Sequence, residues 1–353
     1  MLNIKSLYLF FSILALNIFF FSTTNVSAKA FLIEDIKISE PFENNFNKNA
    51  VIDQGFKDAF LELINSLIKS SDVQKINLID LNVIKSMIQS FSIKEEKFIN
   101  ETYYVNLGVS FDKKKVFKFL EKNNIFPTQI IKKTFLVIPI IINQKNDDIT
   151  MFSNNPIYQN WNNFNKKTDL IDYLLLTEDL EDFNLVKDKS NIIEQYDFKE
   201  IIEKYYLDHS IVLLIFRNEN SIKALSRINI NNETIIKNSS FKLYNFENKD
   251  EIGSIILNLK MMYEDLWKER NQINTSIKLP LIIKVDNKNL YTSISFEKTL
   301  EEVDLISGYT IKSFDKDHIY YEVEFNGTPK NFIQIMDEKK YNFDTQKKIW
   351  ILK

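Results

Sequence analysis

Hydrophobic and polar positions recur along this chain with two different periods, and each period indicates a type of secondary structure. Apolar residues spaced three and four apart indicate a helix with one buried face, whereas alternation indicates a strand with one face on a core. Downstream of residue 28, these patterns form three blocks, at residues 29–129, 130–271 and 272–353. Blocks of this size predict three folded domains of a multi-domain α+β and α/β protein.

The first block predicts an N-terminal α+β domain with the element order β-α-α-β-β-α, in which helices cover one face of a sheet. Asn49 is the expected N-cap of the first helix. The expected elements are a strand over Phe31–Ile38, helices to about Ser70 and over Asp80–Gln89, strands over Ser92–Ile99 and Thr102–Phe111 joined at Asn100-Glu101, and a helix over Lys113–Asn123.

The second block predicts a small α/β sandwich with a partly parallel sheet. It contains two continuous apolar strands, of the kind found in the middle of a sheet that is covered on both faces. The expected elements are strands over Phe135–Ile142 and Ser210–Phe216, a helical segment over Phe198–Tyr206, strands over Ile222–Ile230 and Thr234–Leu243, and an amphipathic helix over Glu251–Trp267.

The third block predicts a C-terminal ferredoxin-like domain with the order β-α-β-β-α-β. Pro329 suits the first turn of a helix, and Asp315-Lys316-Asp317 suits a tight turn. After a strand-like lead over Leu279–Val285, the expected elements are a strand over Leu290–Phe296, a helix over Glu297–Leu305, strands over Tyr309–Phe314 and His318–Phe325, a helix over Pro329–Glu338 and a strand over Tyr341–Leu352.

The first 28 residues have the pattern of an export signal. Lys5 precedes an apolar run from Leu7 to Phe21, and a cleavage site follows at Ala28 or Ala30. An uncleaved anchor is the alternative, because the run is close to the roughly 18 residues that span a bilayer. No later segment is apolar enough to span, so we expect a periplasmic or otherwise extracytoplasmic protein without a transmembrane span once residues 1–28 are removed.

The composition of the chain excludes several kinds of partner and reactive site. The chain has 45 Lys+Arg against 48 Asp+Glu, interspersed without a basic stripe, which argues against nucleic acid as a partner. It has no cysteine, which excludes disulfides, thiol nucleophiles and thiolate metal sites. Its 5 glycines lie far apart, so no phosphate-cradling loop is expected, and we predict no cofactor.

Few polar residues qualify as site candidates, and we assign no catalytic residue. Asp179 and Asp182 belong to the densest acidic cluster and are the candidates for a divalent metal, although a solvated helix start explains them as well. His209 lies in Asp208-His209-Ser210, but neighbours in an extended strand point to opposite faces and cannot form a relay. His318 follows a turn, which explains its acidic neighbours.

Aromatic residues suggest a further possibility. Tyr158 and Trp161 are spaced three apart and are the candidates for a platform that stacks on a ligand or a partner. Packing within the core or between domains is the commoner use of such residues. Both explanations stay open at this point.

Short motifs in this order resemble the uncharacterised proteobacterial envelope proteins of domain-of-unknown-function family 2066. The motifs span nearly the whole chain downstream of the signal. They are Phe31–Ile38, Gly55-Phe56-Lys57-Asp58-Ala59-Phe60, Tyr103–Phe111 with Leu120 and Ile125, Phe135–Pro139, Asn155-Pro156 with Trp161, Leu176–Asp182, Lys204-Tyr205 before Ile211–Leu214, and Trp350. The resemblance implies an envelope location and this architecture, and it implies no activity.

These observations predict a non-enzymatic interaction or assembly module of the cell envelope, with another envelope protein as its partner. Two alternatives use the middle domain. One is a metal-dependent hydrolase that employs Asp179, Asp182 and His209. The other is a protein that binds a small glycan or lipid near Tyr158 and Trp161.

Overall fold

The computed structural model describes residues 30–76, 79–143, 148–218, 221–243, 245–288 and 290–353. The export signal predicted over residues 1–28 lies outside the described residues. The content is 38% helical and 37% strand in several sheets, which confirms the multi-domain α+β fold class. Three sheets are formed, one within each of the three blocks, and we name them the N-terminal, middle and C-terminal units.

The helices and strands are numbered in chain order. The helices are α1 (Lys48–Leu67), α2 (Ser70–Val73), α3 (Leu81–Met87), α4 (Lys113–Lys122), α5 (Pro156–Asn160), α6 (Leu180–Asp188), α7 (Lys199–Glu203), α8 (Lys249–Arg270), α9 (Leu290–Glu302) and α10 (Pro329–Glu338). The strands are β1 (Ala30–Pro41), β2 (Ile88–Ile99), β3 (Thr102–Asp112), β4 (Lys133–Asn143), β5 (Asp148–Thr150), β6 (Ile171–Leu175), β7 (His209–Arg217), β8 (Ser221–Ile230), β9 (Glu233–Lys242), β10 (Leu279–Asp286), β11 (Ile306–Phe314), β12 (His318–Phe325), β13 (Phe343–Asp344) and β14 (Ile349–Leu352).

The N-terminal unit is an antiparallel sheet of strand order β1-β3-β2. The alternating apolar residues of β3 are buried against α1, as the pattern predicts. The predicted cap at Asn49 is wrong: the side chain of Asn47 accepts from the backbone N–H groups of Asn49 and Ala50, and the helix begins at Lys48. Polar residues at the helix start carry no periodic signal, so the pattern could not locate the cap.

The turn between β2 and β3 is formed by Asn100 and Glu101, as predicted. Both residues have positive φ, at 49° and 57°. Two consecutive residues with positive φ are typical of the tight hairpin turn whose twist matches that of the flanking strands. This turn makes β2 the immediate neighbour of β3, and β1 occupies the other side of β3.

The middle unit is a six-stranded sheet in which β4 runs parallel to both β6 and β7. Alternate residues of β4 enter different cores: Phe135 and Val137 pack with α8 on one face, whereas Leu136 and Ile138 pack on the other. This arrangement confirms the partly parallel sheet with apolar central strands. The helix predicted over Phe198–Tyr206 is shorter, because α7 covers only Lys199–Glu203.

In the C-terminal unit, the prediction of a strand over Leu290–Phe296 is wrong. That segment is the first half of helix α9, whose buried residues Ser293, Phe296 and Leu300 have helical spacing. Its aromatic and β-branched residues resemble a strand in a short window, which periodicity alone does not distinguish from a helix. The first strand of the unit is β10, which the sequence indicated only as a lead.

The predicted last strand, Tyr341–Leu352, is instead the hairpin β13–β14, interrupted by a polar segment. The strand order β11-β12-β10-β14 is that of a ferredoxin-like sheet, with β13 added outside β14. Because the hairpin reverses the chain once more after α10, β14 runs parallel to β10. A single strand directly after α10 would run antiparallel to it.

Backbone hydrogen bonds join the chain segments where the middle unit begins and ends. Thr128 forms an isolated antiparallel bridge with Gln272. Ile273 N–H donates to the carbonyl of Pro127 at 2.7 Å, and the N–H of Gln129 donates to the carbonyl of Asn271 at 2.9 Å. No helix in the described part of the chain is long and apolar enough to cross a bilayer.

Candidate functional site

Asp179 and Asp182 are both engaged by neighbouring protein groups. Asp179 is the N-cap of α6 and accepts from the backbone N–H groups of Glu181 at 2.7 Å and Asp182 at 3.1 Å, and these bonds lower the pKa of Asp179. The carboxylate of Asp182 is buried and pairs with Lys204 Nζ at 2.6 Å. Among the residues described, no three His, Asp or Glu side chains come together as a metal site.

His209 begins β7 and is buried between two aromatic rings, those of Phe135 at 4.8 Å and Trp267 at 5.5 Å between centroids. Its Nδ1 has no hydrogen-bond partner in the described ranges, and burial lowers the pKa of the imidazole. Both rings belong to the core on the α8 face of the sheet, whereas α6, which carries Asp182, packs on the opposite face. The structure therefore does not bring His209 together with Asp182.

His318 belongs to the β11–β12 turn, as the sequence predicts. Asp315 Oδ1 accepts from the backbone N–H groups of Asp317 and His318, both at 2.8 Å, and lies 3.2 Å from His318 Nδ1. These contacts close the turn.

The two aromatic candidates lie within the middle unit. Trp161 has 0% of its surface exposed and packs against Tyr173 and Tyr263, at 5.7 and 6.4 Å between ring centroids. Tyr158 is half-buried, and its hydroxyl donates to the carbonyl of Leu176 at 2.9 Å. A stacking platform needs an exposed ring face, which Trp161 does not offer.

A different surface stands out at the edge of the N-terminal sheet. Strand β2 is 12 residues long and pairs only with β3 in the described part of the chain, so its outer edge carries free backbone groups. Every residue of β2 after Ile88 is exposed. Native proteins usually shorten, cover or bend such an edge, because it is a template for pairing with another chain.

The edge formed by β2 also carries exposed apolar side chains. Phe91, Ile93 and Phe98 lie opposite Val109, Leu107 and Tyr103 of β3, so they project from the helix-covered face of the sheet. The helices do not reach far enough to cover them: Phe91 is 49% exposed and Phe98 56%. Strand β2 together with Phe42, which packs on Phe98 at 4.6 Å between ring centroids, is named the β2 edge surface.

Charged residues interrupt the apolar positions, but they are paired. Glu96 accepts from Lys48 Nζ at 2.6 Å and from the Tyr103 hydroxyl at 3.0 Å. These hydrogen bonds lower the pKa of Glu96 and keep it ionised. Lys97 Nζ lies 2.5 Å from Glu95 Oε1, and Lys94 pairs with Glu34 at the same distance. The β2 edge surface therefore has no unpaired excess of either charge.

Strand β9 provides a comparison within the same molecule, because it is the edge of the middle sheet and spans Glu233–Lys242. Ile236 is the one large apolar side chain of β9 that is exposed among the described residues. The two strands are similar in length and both lie at the edge of a sheet. Strand β2 differs from β9 because it carries more exposed apolar side chains.

No protein-family model matches this chain, and a comparison with curated proteins also finds no match. The resemblance to family 2066 therefore stays a prediction. Function is therefore inferred from the geometry of the chain itself.

Proposed function

We propose that this protein is an exported, non-enzymatic interaction or assembly module of the cell envelope, and that it binds another envelope protein through the β2 edge surface. The observation that supports this proposal most directly is the 12-residue edge strand with its exposed apolar side chains. The partner contributes an extended segment that adds to the sheet beside β2.

Strand addition explains both features of the surface. The free backbone groups of β2 form main-chain hydrogen bonds that are independent of the partner's sequence, and alternate side chains supply specificity. Phe91 and Ile93 are two residues apart and project from the same face, so the partner's segment needs apolar residues at the matching alternate positions. Phe91 and Phe98 are each about half exposed, and covering them contributes roughly 1 kcal/mol per residue.

The test compares β2 with β9 in intact cells. A photoreactive amino acid is placed at Ser92 on β2 or at Ser240 on β9, both of which are exposed. We expect one discrete crosslinked species from position 92, with the captured residues in a single segment of one envelope protein. No such species is expected from position 240.

Matched substitutions show whether the apolar side chains carry the binding. Phe91→Asp combined with Phe98→Asp should abolish the crosslink from position 92, because a partner strand would then bury two carboxylates. Ile236→Asp on β9 should leave it unchanged. Equal crosslinking from both strands, or a crosslink that survives the double substitution, contradicts the proposed function. Recovery of the chain from the cytosol with Met1 still attached contradicts the export part of it.

A further inference from the structure

A second feature lies in the middle unit, where the parallel strands β4 and β7 end side by side. Their last residues are in register, with Ile142 opposite Phe216 and Asn143 opposite Arg217. Beyond these residues the chain leaves β4 toward β5 on one side, and it leaves β7 toward β8 on the other. In open α/β sheets, ligands bind in the crevice outside the carboxyl ends of neighbouring strands whose connections diverge in this way. The topology therefore favours a binding site at this end of the sheet.

A cleft with a volume of about 460 Å³ lies at this position. Ile142, Ile149 and Phe216 form its apolar part, and they extend from the core on the α6 face of the sheet. Residues 190–195, which connect α6 to α7, form the remainder of the lining. We name it the β4–β7 cleft. It shares no residue with the β2 edge surface, so it is a separate candidate site.

The polar side chains of the β4–β7 cleft are accessible to a ligand. Asn191, Glu194 and Gln195 are exposed, and Ser190 is half-buried. Within the described ranges, none of these four side chains has a hydrogen bond or an ion pair with another residue. A ligand can therefore use their donors and acceptors without breaking an existing contact.

The charge of the cleft comes from Glu194 alone among the described lining residues, which include no Lys, Arg or His. A positive group on a ligand would therefore meet a carboxylate that no basic residue of the lining neutralises. Phe216 favours the same kind of group, because the face of an aromatic ring attracts an ammonium ion. Ile192 is 50% exposed, so the lining also presents an apolar surface to water. These features together suit a molecule that is cationic at one end and apolar at the other.

We propose that the β4–β7 cleft binds a small organic amine, that is, a molecule with one ammonium group on an apolar body. The ammonium group pairs with Glu194 and donates to the side-chain oxygens of Asn191 and Gln195. The apolar body covers Ile192 and Phe216, which removes their apolar surface from water. The volume of the cleft lies within the roughly 300–1,000 Å³ found for ligand pockets. This binding goes beyond the proposed function, because it involves neither β2 nor a protein partner.

The test uses three probes of similar size that differ in charge, namely phenethylamine, phenylethanol and phenylacetate. Each is titrated into the isotope-labelled chain without its first 28 residues, and the chemical shifts of the backbone amides are followed by NMR. We expect phenethylamine to bind most tightly, with a Kd of about 1 mM or below, and phenylacetate most weakly. The shift changes should be confined to residues 190–195 and to the ends of β4 and β7.

Two substitutions separate the charged contact from the apolar one. Glu194→Gln should weaken phenethylamine binding by about threefold to fivefold, which is the contribution of an exposed ion pair, and should leave phenylethanol binding unchanged. Ile192→Ser should weaken the binding of both probes by about fivefold, because it removes apolar surface. Both residues are exposed, so the variants should fold. Glu200→Gln, at an exposed position of α7 outside the cleft, is the matched control and should change nothing.

The proposal is overturned if none of the three probes shifts these amides, or if phenylacetate binds most tightly. It is also overturned if phenethylamine binds equally well to Glu194→Gln and Ile192→Ser, since the ligand would then lie elsewhere. A last arm uses a blocked tripeptide with a central lysine. Binding of this peptide without binding of phenethylamine would assign the cleft to a protein partner. The β2 variants Phe91→Asp and Phe98→Asp should bind phenethylamine normally, so failure here is distinguishable from failure of the proposed function.

Discussion

Asp265 caps a helix that lies 195 residues away in the chain: its carboxylate accepts from both the backbone N–H, at 2.7 Å, and the hydroxyl of Ser70. Ser70 is the first residue of α2, where backbone N–H groups have no partner within the helix. One turn further along α8, Lys268 Nζ donates to the carbonyl of Asn65 at 2.6 Å, in the last turn of α1. Helix α8 therefore places an acid at the start of one helix and a base at the end of another, as their dipoles favour.

Asp265→Ala should loosen the joint between the N-terminal and middle units. The substitution removes a charged acceptor from two donors of Ser70, and we expect a loss of about 1–2 kcal/mol. Backbone hydrogen exchange of residues 69–73 should accelerate by the factor that corresponds to this loss of free energy. Glu269→Ala, at an exposed position on the same helix, is the control. Unchanged exchange in Asp265→Ala would show that this contact does not hold the joint.

His209 should make the middle unit sensitive to mild acid. Burial lowers the pKa of its imidazole in the folded protein below the usual value of 6.5. The unfolded chain therefore binds a proton first as the pH falls, so the stability present above pH 6.5 is lost as the pH falls through the folded-state pKa. Melting temperatures measured at pH 7.5 and 5.5 should fall more steeply for the parent than for His209→Phe.

The control for this pH dependence is His318→Asn, which changes the other histidine of the chain. His318 is half-buried in a turn beside Asp315, away from the core of the middle unit. This variant should keep the parent's steep fall between pH 7.5 and 5.5. If His209→Phe shows the same fall as the parent, the buried imidazole is not its source.

Lys260 should give a pH dependence of the same sign, but in mild alkali. Its Nζ lies 4.8 Å from the ring of Tyr173 and 5.3 Å from that of Trp161, and it donates to Asn165. Burial lowers the pKa of Lys260 from 10.5 to about 8. Between these two values the unfolded chain is protonated and the folded protein is not, so stability rises with pH across that range.

Lys260→Met removes this titration. Urea unfolding followed by tryptophan fluorescence at pH 7.5 and 9.5 should show the parent gaining roughly 2 kcal/mol relative to the variant, since one pKa unit corresponds to about 1.4 kcal/mol. Trp161 lies beside Lys260, so its fluorescence reports on the relevant unit. A parent and a variant with parallel pH profiles would contradict the assignment.

Gly55 lies where α1 packs closely against side chains of the N-terminal sheet. A Cβ at this position would lie 2.5 Å from Leu107 Cδ1 and 2.7 Å from Ile38 Cδ1. Ala normally stabilises a helix interior by about 1 kcal/mol over Gly, but overpacking a core costs about 1–3 kcal/mol. Leu107 is fully buried and has little room to move, so we expect Gly55→Ala to destabilise the protein.

Urea unfolding of Gly55→Ala measures this balance. Gly308→Ala is the control, because a Cβ there would meet nothing within 4 Å. It should leave the midpoint nearly unchanged. A higher midpoint for Gly55→Ala would show that helix propensity outweighs packing at this position.

The positions of most elements could be predicted because periodicity reports which residues are buried. Strand β3 alternates buried and more exposed residues as its sequence indicates, and β4 is apolar from Phe135 to Ile142 because cores lie on both of its faces. The prediction of a strand over Leu290–Phe296 was wrong because the segment is too short for periodicity to decide. In a window of seven residues, aromatic and β-branched side chains suit a strand as well as a helix.

The candidate sites depend on information that periodicity lacks. Strand β2 was expected, but its exposure follows from the order β1-β3-β2, which local sequence does not encode. Conversely, composition and spacing made Asp179 and Trp161 candidates for a site. The structure places Asp179 at a helix cap and Trp161 in a core.

The bridge between Thr128 and Gln272 has a topological consequence. The chain enters and leaves the middle unit at neighbouring points, so this unit is nested between the N-terminal and C-terminal units. Those two units also touch each other through the ion pairs Lys113–Asp304 and Lys278–Glu121. A deletion that links residue 129 directly to residue 272 therefore needs no spacer. The nested unit could equally be closed into a ring through its own neighbouring ends.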